Sequence, residues 1–238
     1  INTFLEQEAE DYKVERSLSM ISRAGFDWIR QEFPWEDIEI TAKGDFWDHQ
    51  WDKSAWDKYD RIVGLAEEYD LADRIIAPSL FSRDTFVREG IPAGKVIVIP
   101  RGVDIEKFRP AASAPSHFRA VFVGSLCYRK GLHDLLEAWV RLALPDAELL
   151  LVGNVHAEIA PLVNRHAGQH GVRLLGQTDP LPLYQQASVF VFPSLIEGSA
   201  KVTYEAMACG LPVIVTPNAG SVARDGVEGY LVPAQDAA

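Results

Sequence analysis

Five short apolar runs, AVFVG, ELLLVG, VRLLG, VFVFPS and PVIV, recur through the second half of the chain with helix-length stretches between them. A run of four or five apolar residues without alternation is the pattern of a strand buried on both faces. When such strands alternate with helices, each connection is too long for a hairpin and must cross over, so the strands pair in parallel. Residues 116–238 are therefore expected to form an α/β, Rossmann-like doubly wound sheet with helices on both faces.

Between the last two of these runs lies EGSAKVTYEAMACG, with Glu197 and Glu205 eight residues apart. The flanking strands make this a strand-end loop feeding a helix. Gly198, Ser199 and Ala200 are small enough to let N–H groups at the helix start approach an anion. Glu197 then stands at the mouth of the loop and Glu205 about two turns into the helix, on a similar side. On spacing alone the pair equally fits two solvated glutamates. With an anion site between them, they suit a ligand that has hydroxyls at both ends and phosphates in the middle, which is the shape of a nucleotide-sugar.

The stretch ASVFVFPSLIEGSAKVTYEAMACGLPVIVTPNAGSVARDGVEGYLVP (187–233) closely resembles the donor-binding half of retaining GT-B glycosyltransferases of the group 1 and family 4 type. VIVIPRGVDIEKFRP, AVFVGSLCYRKGLHDLLEAW and LLLVGN match the same family in the same order. The resemblance implies binding of a UDP-, GDP- or ADP-sugar for retaining, metal-independent hexosyl transfer, with no cofactor. It also implies roles for individual residues. The loop from Gly124 and Ser125 to Arg129 and Lys130 holds the diphosphate, with Ser125 where the family usually has arginine and Arg129 a partial substitute. Glu205 accepts from ribose hydroxyls and Glu197 from those of the donor sugar. Lys130 and the helix start (Ser199, Ala200, Lys201, Val202, Thr203) stabilise the leaving diphosphate. Glu197 and Lys130 are the candidates for catalysis, and the base is placed near Gly153, Asn154 and LLGQTDPLPLY. PRGVD is expected to be a tight turn between lobes, with Gly102 in an unusual backbone conformation.

A net charge of −11 argues against a nucleic-acid partner. No apolar run is long enough to cross a bilayer, and the first residues lack a signal pattern. Cys127 and Cys209 show no metal-ligand spacing and read as free thiols of a reducing compartment, so a cytoplasmic location is expected. His133, His156, His166 and His170 are expected to be surface residues.

Charge and tryptophan divide the chain. Residues 1–71 hold 18 Asp+Glu against 8 Lys+Arg, and five of the six tryptophans. Their wording, INTFLEQ…MISRAGFDWIRQEFPW…WDKYDRIVGLAEEY, resembles the first two βα units of a (β/α)8-barrel glycoside hydrolase. Val14, Leu18 and Ile21 mark a first helix ended by Gly25; Trp56, Tyr59, Ile62, Val63 and Ala66 mark a second, with Ser54 or Lys53 near its N-cap. A Trp-rich loop lies between, and Glu32, Glu36 and Asp37 end the second strand. The expected organisation is a barrel-like βαβα segment (1–71), a remnant of an acceptor domain with its hinge (72–115), and a nucleotide-sugar-binding domain shortened at its end (116–238). The strand IIAPS is expected to join the first two strands in one sheet. The chain thus reads as a chimera. Three functions stay open: a transferase, a binder of nucleotide-sugar whose transfer activity is lost with its acceptor half, and a folded composite without activity, with a sugar-binding hydrolase remnant as the outlying case. The acceptor is not legible.

Overall fold

A computed structural model describes residues 2–3, 5, 11–26, 29–31, 47–48, 53–54, 57–68, 74–113 and 115–236. The chain forms two compact units, residues 1–76 with 90–97 and residues 77–89 with 98–238.

In the first unit β1 (Asn2–Thr3) pairs in parallel with β2 (Arg30–Gln31), and α1 (Asp11–Arg23) connects them. Val14 and Leu18 are buried. Gly25 takes φ +78° and closes α1, its N–H donating to the Ser22 carbonyl. The expected loop holds an antiparallel pair, β3 (Trp47–Asp48) with β4 (Lys53–Ser54). Lys53 and Ser54 are therefore strand residues rather than caps of α2 (Asp57–Glu68), which buries Tyr59, Ile62 and Ala66 as its periodicity predicts. Glu32, Glu36, Asp37 and Trp56 lie outside the described residues.

Next come β5 (Ile75–Ala77), α3 (Leu80–Arg88) and β6 (Val96–Val98). Among the described residues β5 pairs with β6 and not with β1 or β2, so IIAPS does not extend the first sheet. PRGVD is not the turn. The chain turns at 105–107, where Asp104 Oδ1 accepts the N–H groups of Glu106 (3.0 Å) and Lys107 (3.1 Å). The aspartate side chain makes that turn, and Gly102 has no positive φ.

The second unit is built on β7 (Arg119–Val123), β8 (Glu148–Val152), β9 (Val172–Gly176), β10 (Val189–Phe192), β11 (Val213–Val215) and β12 (Gly229–Leu231). All pairings are parallel, in the order β12-β11-β10-β7-β8-β9. Helices α4 (Leu132–Leu142), α5 (Ala160–His166), α6 (Leu181–Gln186) and α7 (Lys201–Ala208) supply crossovers. The parallel α/β arrangement expected from the apolar runs is present, with β12 added to the five strands that the runs marked. Ala120, Val121, Phe122 and Val123 on β7 are all buried, as are Leu149, Leu150, Leu151 and Val152 on β8. Each of the Val, Leu and Phe side chains contributes about 1.5–3 kcal/mol by burial, which makes these two strands the fixed frame of the unit. Phe122 stacks on Phe192 at 5.4 Å between centroids, tying β7 to β10.

Candidate functional site

The chain runs outward from β7 to β8 and β9, then returns to place β10 on the other side of β7. Such a reversal is where open α/β sheets hold ligands, at the carboxyl ends of the two strands that flank it. The loops concerned are Gly124–Gly131 after β7 and Pro193–Ala200 after β10. These carry most of the residues singled out from sequence.

The first loop leaves the sheet under backbone control. Gly124 N–H donates to the Val152 carbonyl at 2.9 Å and Leu126 N–H to that of Asn154 at 2.8 Å. A 3₁₀ turn over Tyr128–Lys130 then delivers the chain to α4 through Gly131, at φ +68°. A Cβ on Gly131 would lie 1.9 Å from the Pro193 carbonyl oxygen, so the two loops close on each other only because this residue is glycine. The Arg129 carbonyl accepts from Leu195 N–H (2.9 Å), a second clamp between the loops. Ser125 and the Arg129 side chain are exposed.

That closure brings Lys130 to Glu197. The ammonium of Lys130 contacts Glu197 Oε2 directly, and the Arg129 guanidinium lies 3.8 Å from the same oxygen. Lys130 is 8% exposed and its Nζ also stands 5.5 Å from the centre of the Phe192 ring. A nearly buried ammonium needs a counter-charge, and Glu197 supplies one. Sequence reasoning assigned these residues to different parts of a ligand; their contact was invisible because they come from loops far apart in the chain.

Helix α7 starts at Ala200, which offers no capping side chain. Thr203 closes its first turn instead, its Oγ1 (2.7 Å) and N–H (3.1 Å) both donating to the Ala200 carbonyl. Ser199 Oγ meets Tyr204 Oη at 3.2 Å, Lys201 is exposed and Val202 half-buried. Glu205 falls one turn past the helix start rather than two, and is buried. Its Oε2 accepts from Tyr184 Oη at 3.3 Å and its Oε1 is 3.4 Å from Lys201 Nζ. Burial first, and then the charge of Glu205, push the Tyr184 phenol above its ordinary range, so it remains a donor. The same two causes raise the Cys209 thiol, which stays protonated. Tyr184 ends the LLGQTDPLPLY segment that sequence reasoning placed near the base; its contact with Glu205 was not foreseen, because the two lie 21 residues apart on different helices.

Asn154, at the end of the loop after β8, bonds Gln177 at 3.2 Å. His156 and His170 are exposed and His166 half-buried. His133 is half-buried like His166, so both depart from the surface position expected; His133 lies edge-on to Tyr128 at 5.2 Å, and its Nε2 is 3.4 Å from Asp134 Oδ1. Among the described residues no group of three or more His, Cys, Asp or Glu is placed to hold a metal ion, and no helix is long and apolar enough to cross a membrane.

Comparison with known proteins agrees with this architecture. The model of the family described as glycosyl transferases group 1 matches residues 117–238, and that of Glycosyltransferase Family 4 matches residues 40–107. The second match runs through position 71, so the break in charge and tryptophan content falls inside a glycosyltransferase match and does not mark a hydrolase-derived piece over 40–71. The D-inositol 3-phosphate glycosyltransferase of Geodermatophilus obscurus is 30% identical over 75% of this chain and 46% of its own length. The alpha-maltose-1-phosphate synthase of Mycolicibacterium smegmatis is 29% identical over 68% of this chain and 49% of its own. The chain thus spans about half the length of the curated relatives it matches. Among solved structures, Anabaena HepE in complex with UDP superposes with a TM-score of 0.71 at 22% identity, covering 94% of this chain and 69% of HepE. With a family match over more than half its residues, on a sheet of the matching topology, the chain belongs to the glycosyl transferases group 1 family.

Proposed function

We propose that residues 116–238 bind a nucleotide-sugar across the crevice between β7 and β10 and present it for retaining transfer of a hexosyl group. The observation that carries this reading is the contact of Lys130 with Glu197 at the carboxyl ends of the two strands flanking the reversal, beside the start of α7. HepE was crystallised with UDP and with UDP-glucose, which makes a uridine nucleotide the first donor to test.

In this reading Glu197 serves as the counter-ion of Lys130 until a diphosphate arrives. The diphosphate takes over the ammonium, and the released carboxylate turns to the hydroxyls of the donor sugar. Lys130 then faces the charge that grows on the leaving diphosphate as the glycosidic bond breaks, together with the N–H groups of the first turn of α7. Glu205, held by Tyr184, keeps an acceptor for the ribose. Ser125, Arg129 and the small residues Ser199 and Ala200 line the approach. We place the protein in the cytoplasm, where sugar nucleotides are found.

Calorimetric titration with UDP, GDP and ADP and with their glucose conjugates tests the proposal. Binding of one nucleotide family, weakened on Lys130→Ala and on Glu205→Ala, is the expected result. The absence of binding to all six would refute it. A radiolabelled-donor assay over sugar, lipid and inositol phosphate acceptors separates a working transferase from a binder without turnover.

A further inference from the structure

The loop that starts α7 is held from an unexpected direction. Ser79, the N-cap of α3, and Ser82, in its first turn, are both buried, and both reach the carbonyl of Gly198. Ser79 Oγ donates to that oxygen at 2.6 Å and Ser82 Oγ at 2.9 Å. A serine has one proton to donate and a carbonyl two lone pairs to offer. The Ser79–Ser82 oxygen separation of 3.2 Å is the longest of the three, so both protons go to Gly198. Ser79 Oγ still accepts the Ser82 N–H at 3.1 Å, and the accounts of both hydroxyls close.

From the other side, Gly220 leaves room for the same carbonyl. At φ +60°, a Cβ there would lie 2.5 Å from the Gly198 oxygen and 2.9 Å from Ser79 Oγ. Ala200 N–H is fastened to the Ala219 carbonyl at 3.0 Å. In a trans peptide the C=O and the following N–H point in opposite directions. Pinning the Gly198 carbonyl to α3 therefore turns the Ser199 N–H away from α3. Ser199 is buried, and its N–H finds no partner among the described residues. An N–H left over in a buried residue, two positions from Glu197, is a donor held for something else.

We propose that Ser79 and Ser82 are positioning residues: their hydroxyls lock the Gly198 peptide so that the Ser199 amide is presented to an oxygen of the bound sugar nucleotide. This rests on the donor-binding reading above, and its test is arranged so that the two can fail separately. Amide hydrogen exchange on the ligand-free protein reads the lock itself. In Ser79→Ala/Ser82→Ala the Ala200 amide should exchange about tenfold faster while amides of β7 and β8 keep their protection. Ser79→Thr, which retains both hydroxyl and cap, should behave as wild type. Ser82→Ala alone spares the cap and serves if the double variant does not fold. Titration with UDP and UDP-glucose reads the consequence: affinity should fall about tenfold in the double variant and recover in Ser79→Thr. Unchanged exchange at Ala200 overturns the lock, and faster exchange with unchanged affinity overturns its role at the site. If wild-type protein binds no nucleotide, the donor-binding reading falls, and with it the ligand role of the serines, while the exchange arm still decides the lock.

Discussion

The two ends of the six-stranded sheet treat their carboxylates differently. At the amino end, Glu148 opens β8 and collects a cation from each neighbouring strand, Arg119 Nε at 2.6 Å and Arg173 at 2.9 Å, with the His117 ring nitrogen Nε2 at 3.2 Å beside them. At the carboxyl end, Glu197 meets Lys130, and Glu205 is buried between a neutral phenol and one lysine. The first cluster is surplus in cations and ties β7, β8 and β9 together. The second pairs its two carboxylates with Lys130, Arg129 and Lys201 on the loops and helix start that follow β7 and β10. A sheet whose strands all run the same way gathers its strand-to-helix loops at one end, so only that end combines buried charge with adjustable loops. The difference teaches that a carboxylate's role here follows from which end of a parallel strand it occupies.

The largest expected effect comes from breaking what joins the ends. Phe122 is fully buried and stacks on Phe192, under both loops of the site. Phe122→Ala should cost about 3–5 kcal/mol by lost burial and the cavity left behind, read as a lower urea midpoint. A loss under 1 kcal/mol would mean that the two ends are not held by a common core.

Next in size are the site substitutions. Lys130→Ala and Glu205→Ala should each weaken nucleotide binding by about 1.5–3 kcal/mol, the scale of a hydrogen bond to a charged group. Glu148→Gln at the opposite end should leave it unchanged. Equal affinity in all four proteins, measured by titration calorimetry, would erase the functional distinction between the ends.

How much of this could be read from sequence depends on whether a feature is local. Strands β7 and β8 announce themselves as unbroken apolar runs because both of their faces are buried, and β10 does so with one face buried and the other half-buried. Strand β12 did not: it is three residues long, with Tyr230 64% exposed and Leu231 36%, too short and too open to read as a buried run. The residue types of the site were legible at Glu197, Glu205 and Lys130, where a motif follows a strand. Their partners were not. Tyr184 looks like core, Ser79 like an ordinary helix cap, and neither betrays a contact made across the fold. The amino-terminal segment misled for another reason. A parallel β-α-β rhythm is common to barrels and to doubly wound sheets, so its acidic, tryptophan-rich wording could not separate them. The family match over residues 40–107 did so for residues 40–71.

A smaller effect is expected at the charged pair itself. Glu197→Gln keeps the shape of the side chain but takes the counter-charge from a nearly buried ammonium. The ligand-free protein should lose about 1–2 kcal/mol of stability, less than for a fully buried pair because Glu197 is partly exposed. Excess UDP should restore most of that loss by supplying phosphate charge, so the thermal shift produced by UDP should be larger in the variant than in wild type. An equal or smaller shift would show that the diphosphate does not replace Glu197 at Lys130.

The smallest effect separates the ends by pH. Glu148 is held well below the ordinary carboxylate range, at about 2 against 4.5 for an unperturbed glutamate, first by the hydrogen bond from Arg119 and then by that from Arg173. The unfolded chain therefore takes up this proton before the folded protein does as acid is added. Stability supplied by the cluster is complete above pH 4.5 and drains away as pH falls toward about 2. Because the cluster is partly exposed to water and salt, its contribution is about 1 kcal/mol or less, a gap in melting temperature of roughly 2–4 °C at most for a chain of this size. Wild type should melt above Glu148→Gln at pH 6, and the two curves should converge between pH 4.5 and about 2. High salt should shrink the gap, since the pairs lie near the surface. A gap that persists undiminished at low pH would assign the effect of the substitution to packing at the start of β8, and would remove the electrostatic half of the contrast between the two ends of the sheet.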